Sequence, residues 1–97
     1  MSFEEKLNEY VKGLGPREGK FLVVHEGTVP LRIEVKTDWK LGKLLIGKYE
    51  TVMRSRYFGK GGIEIVCSGQ LSDEEVIDLV RLGWEMVGDT QKVMPSD

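Results

Sequence analysis

One histidine, one cysteine and the serines at 55 and 68 are the chain's candidates for base and nucleophile. His25 adjoins Glu26, but neighbours on a strand point to opposite faces, so the two cannot work one substrate from one side. No H-x-E, H-E-x-x-H or C-x-x-C spacing occurs, which removes the common zinc and redox patterns. Ser55, Ser68 and Cys67 can approach His25 only through the fold, and nothing in their spacing favours it. His25 reads as a solvent-exposed residue at the end of a strand. Cys67, in "IEIVCS", reads as a small buried hydrophobe. The expectation is a non-enzymatic protein with no catalytic residues, no metal and no cofactor.

The glycine-rich stretch "GLGPREGK" at 13–20 superficially offers a phosphate cradle. The spacing from Gly15 to Gly19-Lys20 is one residue short of G-x-x-x-x-G-K, and Phe21 stands where a magnesium-binding hydroxyl is needed. The stretch also follows a helix and precedes a strand, the reverse of the required order. It reads as a helix stop and a loop.

Charge is the feature that does point somewhere. Residues 39–60 hold one acid, Glu50, against six bases, a net of +5 in a chain whose net is −2. Residues 61–97 carry a net of −6. A basic stretch in an acidic chain marks either a surface for an anionic partner or one that its own acidic helices neutralise. The residues to watch for anion or nucleic-acid contact are Lys48, Arg54, Arg56, Lys60 and Gly61, the last in a glycine turn whose amides can form an anion nest. Trp39, beside Lys40, is a further candidate contact. Single-strand readers stack bases on aromatics of an open sheet. Here Tyr49 and Tyr57 share the parity of Met53, which is assigned to the core, so the platform is mostly missing and binding would rest on phosphate contacts.

These residues need elements to position them. Ser2 and Glu5 form a capping box for a first helix, with Phe3, Leu7, Tyr10, Val11 and Leu14 along one face. "GKFLVVHE" predicts a strand with little alternation. "LRIEVKT" predicts one with Leu31, Ile33 and Val35 inward and Arg32, Glu34 and Lys36 on a wet face. The middle is divided. A helix capped by Thr37 or Asp38 competes with a strand, and Gly42 and Gly47 would each cost such a helix about 1 kcal/mol. The expectation is a turn over 38–42 and a strand from 43 to 57, bulged near Gly47. It pairs through a glycine turn at 59–62 with a last strand, "GIEIVCS". On that reading Lys48, Arg54 and Arg56 share a wet face with Arg32 and Lys36.

Ser72 and Glu75 repeat the capping box, with Leu71 and Val76 as its staple, and open a C-terminal helix that Gly88 is expected to end. Its apolar arc is wide, so the first helix or a second copy of the protein must cover part of it. Leu79, Leu82, Trp84 and Met86 are the candidate oligomer interface.

The 97 residues predict one domain, spanning 1–88, with a flexible tail over 89–97. Its class is α+β: a two-layer, four-stranded, mainly antiparallel sheet covered on one face by N- and C-terminal helices. No apolar run approaches the roughly 20 residues of a spanning helix, and no signal-peptide pattern opens the chain. A cytoplasmic location without membrane contact is expected. One cysteine excludes an internal disulfide. The absence of alanine suits a sheet-centred core. Scarce Asn and Gln beside abundant Lys and Glu lean toward a thermophilic source. The functional expectation is a small binding or regulatory domain acting as a homodimer on a protein partner. Its alternatives are a nucleic-acid-binding protein using residues 40–60, and an enzyme or small-ligand domain whose site does not show in the sequence.

Overall fold

A computed structural model describes residues 2–93, with side chains described for residues 2–88. The elements run α1 (Phe3–Leu14), β1 (Leu22–His25), β2 (Leu31–Lys36), α2 (Trp39–Lys48), β3 (Val52–Ser55), β4 (Gly59–Cys67) and α3 (Asp73–Val93). The four strands form one antiparallel sheet in the order β1-β2-β4-β3. The fold is α+β, as expected, with a third helix in the middle.

The alternation expected of β2 places Ile33 and Val35 beside Ile63 and Ile65 of β4, and all four are fully buried. This face carries the helices. α3 lies over β1 and β2, α2 over β3 and β4, and α1 packs alongside α3. Leu7 of α1 and Val76 and Val80 of α3 close the core. Both capping boxes form: Ser2 with Glu5, and Ser72 with Glu75.

Residues 39–48 are helix, not the expected turn and strand. Asp38 caps them, its carboxylate accepting the Leu41 amide at 2.9 Å. The two glycines weighed against this helix do not decide it. Gly42 is buried where a Cβ would lie 3.4 Å from Thr37 and 3.5 Å from Ile63. Close approach of helix to sheet, with Leu45 and Ile46 packed on the core, outweighs a propensity cost of about 1 kcal/mol.

The shorter β3 runs in the opposite phase to the one expected. Val52 lies opposite Ile65 and Arg54 opposite Ile63, so both face the helices. Met53 lies opposite Glu64, on the other face. The register then slips between Arg54 and Ser55.

At the C-terminal end, α3 passes through Gly88 and continues to Val93. That glycine makes room rather than a stop: a Cβ there would lie 2.7 Å from the Arg17 guanidinium. The tail expected from residue 89 is thus partly helix, and residues 94–97 lie outside the described residues. Among the described residues, no helix is long and apolar enough to cross a membrane.

Candidate anion-binding hairpin

The face of the sheet away from the helices carries His25 of β1, Arg32, Glu34 and Lys36 of β2, Glu64 and Val66 of β4, and Met53 of β3. Alternation alone makes this the wet face, yet Glu34 is only 4 % exposed and Glu64 2 %. The β3–β4 hairpin explains the burial of Glu34. After the slip at Arg54 and Ser55, its turn folds back over the sheet toward β2.

Glu34 holds that turn. Its Oε1 accepts the Ser55 hydroxyl at 2.6 Å and the Tyr57 amide at 2.8 Å. Its Oε2 lies 2.8 Å from Nε2 of His25. Ser55 Oγ in turn accepts the Phe58 amide at 2.8 Å. Burial pushes the Glu34 carboxyl up, but the bonds from Ser55, Tyr57 and His25 outweigh it and leave it lowered to about 2. At neutral pH the carboxylate has no proton to give, so Nε2–H of His25 is the donor. Beside it on β4, Glu64 accepts Arg32 at 2.9 Å.

The turn also needs Gly62. Phe58 sits over it so closely that a Cβ at residue 62 would lie 2.6 Å from the Phe58 Cβ, and 2.7 Å from the Val35 carbonyl oxygen.

This arrangement lacks the order of a nucleophile relay. In such a relay the histidine stands between hydroxyl and carboxylate. Here the carboxylate stands between Ser55 and His25, and the hydroxyl already donates to it. A carboxylate lowered to about 2 is also a poor base. Cys67 offers no alternative nucleophile: burial, with the nearby Asp73 carboxylate, pushes its thiol up to about 11. No group of three or more His, Cys, Asp or Glu residues among those described is placed to hold a metal ion.

The held turn instead presents aromatic rings among cations. Tyr57 is 59 % exposed and meets Phe58 edge to face, with ring centroids 4.9 Å apart. The Lys20 ammonium lies 5.9 Å from the Tyr57 ring centroid, and the Lys36 ammonium 5.8 Å from that of Phe58. Arg56 and Lys60 flank the pair and are exposed. None of these four bases enters an ion pair among the described residues.

Of the expected contact residues, Arg56, Lys60 and Gly61 lie at the turn end of this hairpin. Lys48 lies outside the hairpin, and Arg54, in β3, takes its other face. Lys48 ends α2, and Arg54 crosses to the helix side, its guanidinium 5.7 Å from the centroid of the Trp39 ring. The shared wet face expected for Lys48, Arg54 and Arg56 therefore does not form. Its premise was a continuous strand over 43–57. Tyr57, assigned to the core, is exposed. His25, expected at the surface, is half-buried against Glu34. Lys20, Lys36, Tyr57, Phe58 and the anchoring Glu34 were missed, because a register slip and a folded-back turn carry no periodic signal. The pair Phe58 and Gly62, four residues apart, was the available clue.

The residues named for an oligomer interface lie on α3. Leu79 packs against the core, and Leu82 is 42 % exposed. Trp84 is half-buried: its indole N–H donates to the Gly15 carbonyl at 3.0 Å, and the Arg17 guanidinium stacks 3.6 Å from the ring centroid. Met86 is half-buried and makes contacts of its own. The segment leaving α1 thus occupies part of the arc left open by the sequence.

Compared with known proteins, the chain matches no family model, no curated protein and no solved structure.

Proposed function

We propose that this domain is a non-enzymatic binding module, working as a homodimer, that takes single-stranded nucleic acid on the β3–β4 hairpin. The observation that carries the reading is the exposed Tyr57 ring, in edge-to-face contact with Phe58, with the Lys20 and Lys36 ammonium groups beside the two rings, exposed Arg56 and Lys60 flanking the pair in sequence, and none of these four bases in an ion pair among the described residues. An aromatic face accepts any base by stacking, and the surrounding ammonium and guanidinium groups meet the phosphates. The sequence leaves an aromatic platform mostly missing, and the exposed Tyr57 supplies one ring of it. A protein partner on α3 has less to support it, since Arg17 and α1 already take up part of that helix's apolar arc.

The test is fluorescence anisotropy of a labelled oligothymidylate at low ionic strength. Stacking on an aromatic contributes about 1–3 kcal/mol per base, so Tyr57→Ala should weaken binding at least about fivefold. Absence of binding by the wild-type protein at low salt would remove the proposal.

A further inference from the structure

Where α1 ends and β1 begins, the chain lines a cavity of about 510 Å³, open to solvent. Val11, Pro16, Phe21 and Leu22 give it apolar walls. The charged residues that line it, among those described, are Lys12, Arg17 and Lys20, all of one sign in a chain whose net charge is −2. An apolar surface with a few placed polar groups is the make-up of a small-ligand site, and such sites span roughly 300–1,000 Å³. Arg17 is fixed by its stack on Trp84 and by its Nε–H, which donates to the Trp84 carbonyl at 3.2 Å. The Gly15 carbonyl, whose dipole opposes an anion, is taken up by the Trp84 indole N–H at 3.0 Å. Lys12 makes an exposed pair with Glu9 at 3.9 Å, a contact that a ligand phosphate can displace.

We infer that this cavity takes one nucleotide of the strand that stacks on Tyr57. The inference rests on the single-strand reading above and extends its site round the start of β1. Lys20 is the link. It lines the cavity, and its ammonium lies 5.9 Å from the Tyr57 ring centroid. A phosphate held by Lys20 therefore has Tyr57 on one side and the cavity on the other. The base that follows it meets the Phe21 ring and the aliphatic walls, and the next phosphate meets Lys12. No described acid lines the cavity to repel the backbone. Walls of this kind accept a base by its face and do not read its edge, so the added subsite strengthens binding without sequence preference.

Anisotropy of labelled oligothymidylate at low ionic strength tests the cavity against a charge control. Lys12→Glu should weaken binding about fivefold or more and lower its salt dependence by about one phosphate contact. Lys43→Glu makes the same change of charge at an exposed position of α2. It should leave the salt dependence as in the wild type, since solvent ions screen a charge that touches no phosphate. Phe21→Leu keeps the wall apolar but removes the ring, and should weaken binding about fivefold. If Lys12→Glu acts no more strongly than Lys43→Glu, and Phe21→Leu binds as the wild type does, while Tyr57→Ala still weakens binding, the cavity subsite is overturned and the hairpin reading stands. A wild type that binds no oligothymidylate at low salt overturns both.

Discussion

The Glu34 carboxylate accepts the Ser55 hydroxyl at 2.6 Å, across the sheet from β2 to the far end of β3. Because Ser55 also accepts the Phe58 amide, one buried acid fixes the whole hairpin turn. Ser55→Ala leaves the Phe58 amide and one Glu34 lone pair without a partner. Leaving a buried polar group unpaired costs about 1–3 kcal/mol. Urea denaturation should show a loss of that size, and oligothymidylate binding should weaken with it if the turn presents Tyr57.

The same acid gives folding a pH dependence of known sign. Glu34 is lowered from 4.5 to about 2 in the folded protein. The unfolded chain therefore binds its proton first as pH falls. The stability Glu34 contributes is complete above pH 4.5 and is lost as pH falls toward 2. A shift of this size corresponds to about 3 kcal/mol. Glu34→Gln has no such titration. The stability gap between wild type and variant should shrink across that window and stay constant from pH 5 to pH 7. A gap that does not change with pH would show that the carboxylate is not held as described.

Much of this fold is readable in the residues, and the exceptions share a cause. Ser2, Glu5, Ser72 and Glu75 announce two helices because capping is local chemistry. Leu31, Ile33 and Val35 announce the core face because a strand's period is local too. Residues 39–48 escape the local reading because their helix rests on Leu45 and Ile46 packing on the core, contacts between distant segments. The candidate site was only half legible for the same reason. Arg56 and Lys60 show as charge in the sequence. The exposure of Tyr57 depends on a register slip and on an acid 23 residues away in sequence.

Arg54 and Arg56 separate the charge of the segment from its geometry. Both belong to the basic stretch, but Arg54 lies over Trp39 on the helix side, and Arg56 flanks Tyr57. Arg56→Ala should weaken oligothymidylate binding and lower its salt dependence by about one phosphate contact. Arg54→Ala should leave both unchanged. Equal effects from the two would mean that binding follows net charge alone, without the hairpin.

Two glycine substitutions should move stability in opposite directions. At Gly62 a Cβ meets the Phe58 side chain at 2.6 Å and the Val35 carbonyl at 2.7 Å. The carbonyl belongs to the central ladder and cannot retreat cheaply. Gly62→Ala should cost about 2–3 kcal/mol, as overpacking does, and it should push Phe58 away from the sheet. At Gly13, inside α1, nothing lies within 4 Å of the added carbon. Gly13→Ala should gain about 0.5–1 kcal/mol from helix propensity and a stiffer unfolded chain. Thermal denaturation of the two variants beside the wild type separates them. A neutral Gly62→Ala would mean that the hairpin turn does not rest on the sheet, and the presentation of Tyr57 would lose its support.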